Sequence, residues 1–286
     1  MPELPEIETI KRDLNKALKR RRIIDVWTDN LKDFDKKEFE KKIFNQKIEE
    51  VVRKGKNIFI IFQNKSVLWF HLKLTGHLLL GQYKLENNKW VPKEKGLYLD
   101  RQNLYIHWVF MLDNSKKLVL SDSRRFAKVK IISLKEMDDF EKKLGPDPLT
   151  NKFTKEYLSE KLKKVKISVK KFLMDQKYIS GIGNIYANEI LFEAKINPFR
   201  KANSLSAEEI NTLFLVIRKI LMKAITYRGT SAKDEAYRDL YGRKGNFGKF
   251  LKIYQKEGEK CPRCNGIILR KTENNRSTFY CPKCQK

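Results

Sequence analysis

All four cysteines of the chain fall within its last 26 residues, in the order Cys261-Pro-Arg-Cys264, sixteen residues, then Cys281-Pro-Lys-Cys284. This C-x2-C…C-x2-C spacing fits a tetrahedral zinc site, because two residues between paired cysteines make a tight knuckle that aims both sulfurs at one ion. A disulfide pairing fits less well, since the reducing cytosol is the expected compartment. A segment this short has too little core to fold alone, so one structural Zn2+ ion is expected to supply much of its stability. The expected form is a β-hairpin ribbon. Ile267-Ile268-Leu269 and Ser277-Thr278-Phe279-Tyr280 would be its strands, and Glu273-Asn274-Asn275 its turn. Lys271 and Arg276 then sit at the hairpin tip, which gives the ribbon a surface as well as a metal.

The remaining 260 residues constrain the partner rather than the fold. The chain carries 62 Lys and Arg against 35 Asp and Glu, a formal net charge of +27. Such an excess repels itself, and counterion release drives basic proteins onto phosphates, so nucleic acid is the expected partner. An AT-rich genome that inflates lysine at solvated positions is the plainer explanation, and composition alone leaves it open. No run approaches the ~18 apolar residues of a membrane span, and Met1-Pro2-Glu3-Leu4-Pro5-Glu6 lacks the basic and apolar regions of a secretory signal. The expected location is therefore the cytosol. With 17 Phe, 11 Tyr and 4 Trp there is material for two cores plus a small module.

Periodicity divides the chain. Leu4, Ile7, Leu14 and Leu18 recur at helical spacing over 3–20. Strand patterns dominate from Ile23 to Ser133, at Lys47–Val52, Asn57–Phe62, Ser66–Leu74, Leu104–Leu112, Lys117–Ser121 and Ala127–Ile132. Gln63-Asn64, Asp113-Asn114, and Gly76 or Gly81 supply turn signals. A β-sandwich is expected. Gly145-Pro146-Asp147-Pro148 reads as a rigid linker. Ser206-Ala-Glu-Glu209 is a capping box opening a long amphipathic helix through Leu213, Ile217, Ile220, Leu221 and Ala224. Residues 228–248, with four glycines among charges, read as a loop free to move.

Three motifs are unusual together: Pro2-Glu3-Leu4-Pro5-Glu6, Gly181-Ile-Gly-Asn184-Ile-Tyr-Ala-Asn-Glu189, and the terminal ribbon Phe279-Tyr-Cys-Pro-Lys-Cys-Gln285. With Lys56, His71-Leu-Lys-Leu74-Thr-Gly76, Asp122-Ser-Arg124-Arg125-Phe126, Gly145-Pro-Asp-Pro-Leu149 and Lys170-Lys-Phe-Leu-Met-Asp175 in register, the full chain resembles the bacterial formamidopyrimidine-DNA glycosylases. The endonuclease VIII branch of that family usually begins Pro-Glu-Gly-Pro. Leu4 makes this chain similar to the oxidised-purine branch instead.

The resemblance implies an α+β multidomain fold: an N-terminal β-sandwich with an N-terminal helix over 1–133, a helix–two-turn–helix domain over 134–227, and a lesion-capping loop with a zinc hairpin over 228–286. It implies an enzyme that acts on damaged double-stranded DNA, excising 8-oxoguanine and formamidopyrimidines and then cutting the strand; a monomer, away from any membrane, is the default expectation. Once Met1 is removed, the secondary amine of Pro2 can attack the sugar C1′, and the resulting iminium is an electron sink for β- and δ-elimination. An ordinary helix-start proline is the plainer reading of the same residue. Glu3 can protonate the ring oxygen; by itself it could equally be an acid favoured at a helix N-terminus. Glu6 also matches the family and Glu8 lies close by.

Lys56 matches the family lysine on the damaged nucleotide. Asn184, after two glycines at a helix start, and Arg276 match a phosphate clamp. Lys170, His71, Tyr254 and Lys271 match further phosphate contacts. Leu74, Arg124 and Phe126 match the side chains that fill the void behind a flipped base, with Leu74 where methionine is common and Ser123 and Ala127 where Pro and Gly often flank the element. Thr230, Ser231 and Tyr237 match the segment that covers the flipped base. An oxidised-pyrimidine glycosylase, a non-catalytic zinc-ribbon DNA-binding protein and a ribosome-associated RNA binder are the competing readings.

Overall fold

The computed structural model describes residues 1–30, 34–231, 237–273 and 275–286. They form two compact units: Met1–Glu141 with Tyr227–Gly248, and Lys142–Thr226 with Lys249–Lys286.

In the first unit α1 (Leu4–Leu18) leads into β1 (Ile23–Thr28), α2 (Lys36–Lys42), β2 (Ile48–Lys54), β3 (Asn57–Phe62), β4 (Ser66–His71) and β5 (His77–Gly81). The chain continues through β6 (Tyr83–Glu86), β7 (Lys89–Pro92), β8 (Ile106–Leu112), β9 (Lys117–Ser121), β10 (Lys128–Ser133) and α3 (Leu134–Lys142). Two antiparallel four-stranded sheets result, ordered β1-β8-β9-β5 and β10-β4-β3-β2. Alternation explains β3, which is buried at every position. Ile58, Ile60 and Phe62 enter the main core with Leu78, Leu80, Phe110, Leu118 and Leu120 of the other sheet, while Phe59 and Ile61 pack against Met137 and Phe140 of α3. Ile7, Ile10, Leu14 and Leu18 seat α1 in the main core.

Some expectations shift. Gly76 does lie in a turn, but Gly81 is the last residue of β5. The β6–β7 hairpin turns at Asn87 and Asn88, both at positive φ, which asparagine tolerates. Helix α2, seven residues long and capped by Asp35, is too short for periodicity to reveal.

The second unit holds α4 (Lys155–Lys163), α5 (Val169–Met174), α6 (Asn184–Glu193) and α7 (Ala207–Thr226), followed by the hairpin β11 (Leu269–Glu273) and β12 (Arg276–Tyr280). The capping box forms: Ser206 N–H donates to Glu209 Oε2 at 2.8 Å, and Glu209 N–H donates to Ser206 Oγ at 3.2 Å. The first hairpin strand lies later than expected. Ile267 makes only an isolated bridge with Lys260, while Leu269 begins the ladder opposite Tyr280. Asn274, part of the expected turn, lies outside the described residues.

Three boundaries differ from the sequence division. Residues 134–141, expected to open the helical domain, belong to the first unit, where Met137 and Phe140 cover Phe59 and Ile61. Residues 145–148 are folded into the second unit rather than strung out as a linker: Gly145 N–H donates to Gln176 O at 2.8 Å and Ser180 N–H to Pro146 O at 3.2 Å. A Cβ at Gly145 would lie 2.3 Å from the Tyr178 carbonyl, so only glycine fits that approach. The segment 227–248 belongs to the first unit and not with the zinc hairpin. Tyr237 and Leu240 join the sandwich core, and Leu80 N–H donates to Leu240 O at 2.9 Å. Of the loop expected there, residues 232–236 lie outside the described residues, and the described flanks are buried at Thr230, Tyr237, Arg238, Asp239 and Leu240. Among the described residues, no helix is long and apolar enough to cross a membrane.

Candidate DNA-repair site

Pro2 and Glu3 are both buried at the start of α1, with Met1 half-buried before them. Glu3 is the N-cap residue in extended backbone, and its N–H donates to Glu6 Oε2 at 2.8 Å. The other oxygen of Glu6 accepts the Thr230 N–H at 2.7 Å. One carboxylate, 1% exposed, therefore ties the N-terminus to the 227–248 segment. Glycine is required beside it: Gly229 has φ +81°, and a Cβ there would meet Glu6 Oε1 at 2.6 Å. Ser231 Oγ–H donates to Tyr237 O at 2.8 Å. Arg228 bridges Asp13 and Asp239, and Arg243 Nε meets the same Asp239 carboxylate at 2.9 Å.

Lys56 sits in the tight turn joining β2 to β3 and is 8% exposed, with Gly55 at φ 57° before it. The turn is braced from two sides. Arg53 donates from Nη1 to Gly55 O at 3.1 Å and from Nε to Glu8 Oε2 at 2.9 Å, while Asn57 Nδ2 donates to Lys54 O at 3.1 Å. Burial opposes ionisation of Glu8, but the Arg53 guanidinium, with Arg12 and Lys11, outweighs it and holds the carboxyl below its usual value. Glu8 therefore links α1 to the turn that carries Lys56. The Glu8–Arg53 pair spans 45 residues, and no local motif announces it.

His71 ends β4 opposite Lys128 of β10. Its Nδ1 accepts the Lys73 N–H at 3.1 Å. Burial, then the charges of Lys73, Lys56 and Lys128, push its pKa down to about 4, so the imidazole is neutral near pH 7. Leu74 follows in the turn before β5 and is half-buried. Arg124 and Phe126 lie in the turn between β9 and β10, and Phe126 is 55% exposed. Phe126 is thus an exposed turn residue and not part of a strand core. Asp122, quoted above only as part of a motif, organises both turns. Its carboxylate, 1% exposed, accepts the Arg124 N–H at 3.1 Å, the Ala127 N–H at 2.7 Å and the Thr75 hydroxyl.

In the second unit, Gly183 is the N-cap of α6 and Asn184 its first residue. Gln176, which the sequence reading passed over, knits the preceding turn: its side chain meets Met174 O and Ile182 O at 2.9 Å and the Gly181 N–H at 2.8 Å. Asn188, one helical turn after Asn184, donates to Asn184 O at 2.6 Å and accepts the Phe279 N–H of β12 at 2.8 Å. Lys170 reaches the same strand, donating from Nζ to Ser277 O at 2.9 Å and Thr278 Oγ1 at 2.8 Å. At 2% exposure its ammonium serves the hairpin here, whereas the sequence reading gives it to a phosphate.

Arg276 begins β12 opposite Glu273 and is exposed. Lys271, two positions further from the tip than expected, lies over the Phe199 ring at 5.1 Å. Tyr254 is buried against Phe279, with ring centroids 5.4 Å apart. Its N–H, with those of Lys252 and Ile253, donates to the Glu189 carboxylate. Burial raises the Glu189 pKa against those three donors.

The cysteine sulfurs all lie within 4.8 Å of one another, with Cys261 and Cys284 at 3.8 Å and Cys264 and Cys281 at 3.5 Å. Tetrahedral zinc with ~2.3 Å bonds to sulfur separates its ligands by about 3.8 Å, so the four thiolates fit one structural Zn2+. The ion fixes the base of the hairpin; Lys170 and Asn188 fix β12 from the side.

Three family models match in order: the formamidopyrimidine-DNA glycosylase N-terminal domain over residues 1–129, its H2TH domain over 144–236, and a zinc finger found in FPG and IleRS over 258–286. The formamidopyrimidine-DNA glycosylase of Carboxydothermus hydrogenoformans is 40% identical over the whole of both chains. A point mutant of the Lactococcus lactis FPG, solved with a Fapy-dG containing DNA, is 30% identical with a TM-score of 0.86 over the whole of both chains. MutM solved with carbocyclic 8-oxo-G containing DNA is 30% identical, with a TM-score of 0.85 and the same coverage. With a sandwich that opens on Pro2-Glu3, an H2TH unit and a four-cysteine hairpin all matched across its length, the chain belongs to the formamidopyrimidine-DNA glycosylase family, DNA glycosylases of base excision repair.

Proposed function

We propose that the protein excises oxidised purines, 8-oxoguanine and formamidopyrimidines, from duplex DNA and then cleaves the strand by β- and δ-elimination. The observation that carries this reading is the start of α1, where Pro2 and Glu3 are buried and the Glu3 N–H is held by Glu6. With Met1 present the Pro2 nitrogen is an amide and cannot attack; removal of Met1 frees a secondary amine. The amine bonds to C1′, the damaged base departs with the glycosidic electron pair, and Glu3 protonates the ring oxygen as the sugar opens to the iminium. Loss of a C2′ proton then expels the 3′ phosphate, and a second elimination expels the 5′ phosphate. Lys56 contacts the damaged nucleotide. Leu74, Arg124 and Phe126 fill the vacated stack, with Arg124 on the orphaned cytosine.

Asn184 and Arg276 clamp the phosphates around the lesion, with His71, Tyr254 and Lys271 on neighbouring phosphates. Lys170 acts through the hairpin that presents Arg276. Thr230, Ser231 and Tyr237 belong to the 228–248 segment that covers the flipped base and are its candidate contacts. The zinc ion supplies structure and no chemistry. The enzyme works as a monomer in the cytoplasm, where its +27 charge drives it onto DNA.

The test is borohydride trapping of the Met1-processed protein on duplex DNA carrying 8-oxoguanine opposite cytosine. A covalent adduct that is absent in Pro2→Gly and in Met1-retaining protein is expected. Zinc-loaded protein that binds this DNA but neither traps nor cuts it would overturn the reading, and a pyrimidine-lesion panel would then separate the oxidised-pyrimidine enzyme from a non-catalytic binder.

A further inference from the structure

Leu74 and the Arg124–Phe126 pair lie in two turns separated by about fifty residues of chain, and those turns share one buried anion. Asp122 Oδ1 accepts the Thr75 hydroxyl from the first turn and the Arg124 N–H from the second, at 3.1 Å for the latter, while Oδ2 accepts the Ala127 N–H at 2.7 Å. The donors bracket the exposed side chains: Thr75 is next to Leu74, Arg124 donates from its own backbone, and Ala127 follows Phe126. Asp122 is itself fixed from behind. Its N–H donates to Tyr105 O at 2.8 Å, and His107 Nε2 lies 3.0 Å from its carbonyl oxygen. The turns also touch directly, since a Cβ at Gly76 would lie 3.0 Å from Ala127 Cβ and 2.5 Å from Leu72 O.

We propose that Asp122 is a positioning residue that sets the mutual register of Leu74, Arg124 and Phe126, and thereby the discrimination between cytosine and adenine opposite the lesion. The inference rests on the void-filling roles given above. A side chain that reads an orphaned base by hydrogen bonding must be held to a fraction of an ångström, and an exposed turn cannot do that by its own packing. Three donors converge on one carboxylate with 1% exposure, and each lies on or beside a residue that would enter the DNA. Asparagine cannot reproduce this set. It has one acceptor oxygen, so either the Ala127 N–H or the Arg124 N–H must face its NH2 group. Valine at position 75 is milder: it removes the cross-turn bond and leaves both backbone bonds within 122–127 intact.

The test uses full-length, zinc-loaded, Met1-processed protein and the variants Thr75→Val and Asp122→Asn. Affinity is measured for duplexes carrying a tetrahydrofuran abasic analogue opposite cytosine or adenine, which requires no excision. Borohydride trapping of a preformed natural abasic site and the thermal midpoint are measured alongside. Both variants are expected to lower the cytosine-over-adenine affinity ratio by about threefold or more, a fraction of what one bidentate base contact supplies, with trapping within about twofold of wild type. An unchanged ratio in folded Thr75→Val would overturn the proposal. So would a parallel loss of affinity for both duplexes and of trapping, which marks a merely structural role. Wild-type protein that shows the affinity ratio but excises no purine lesion would overturn the proposed substrate and leave the Asp122 result standing.

Discussion

The Glu6 carboxylate and the Thr230 backbone N–H, 224 residues apart in sequence, meet at 2.7 Å inside the first unit, and the other Glu6 oxygen accepts the N–H of Glu3. Glu6→Ala would take this acceptor from two buried N–H groups, each loss costing about 1–3 kcal/mol. Glu6→Gln keeps one acceptor and should cost roughly half as much. Denaturant unfolding of the processed protein measures both. A wild-type-like Glu6→Ala would mean that water replaces the carboxylate without loss.

Lys170 separates two roles that sequence alone cannot. Lys170→Met should destabilise by about 1–3 kcal/mol, because Ser277 O and Thr278 Oγ1 lose their donor. It should weaken DNA binding by loosening β12, yet leave the slope of log affinity against log salt unchanged. A direct phosphate contact would lower that slope by about one. A salt titration of Lys170→Met beside Arg276→Ala, for which the slope should fall, decides between them.

Zinc removal should act on the hairpin first. The four sulfurs span at most 4.8 Å, and without the ion no bond holds them at that spacing. A chelator, or Cys264→Ser, should release one zinc per chain and lower DNA affinity by about tenfold or more, near 1.4 kcal/mol, through loss of the Arg276 position. Circular dichroism should retain the sandwich and helices. Full affinity in the zinc-free protein would detach Arg276 from binding.

His71 gives a pH dependence with a definite sign. Its pKa falls from 6.5 to about 4, burial being the largest cause, so the folded chain keeps it neutral where the unfolded chain takes up a proton. The stability it contributes is complete above pH 6.5, is lost as pH falls toward 4, and falls no further below that. The loss should be roughly 1–3 kcal/mol. Unfolding free energies at pH 7 and pH 4.5 should therefore converge more in His71→Gln than in wild type. Equal pH slopes in the two proteins would refute the assignment.

What sequence determined by itself are the features whose physics is local. Two cysteine knuckles point four sulfurs at one ion whatever surrounds them. Ser206 and Glu209 cap α7 because the two groups sit three residues apart. The limits of β3 and β9 follow from runs bounded by turn residues. The family motifs picked out Pro2, Glu3 and Lys56 in the N-terminal domain, Asn184 in the helical one and Arg276 in the zinc hairpin; that the last two share one compact unit came from the fold.

Only tertiary structure decided what buried polar groups do, because their partners lie far along the chain. Nothing near Lys170 marks its ammonium as bound to a strand 107 residues away. Nothing near Thr230 assigns the 227–248 segment to the sandwich, until Glu6, Leu80 and Asp13 supply an acceptor, a strand edge and a counter-charge. Asp122 reads as one acid in a basic turn. Its meaning appears when folding brings Thr75 across to it, since a carboxylate withdrawn from water must gather donors wherever the fold delivers them.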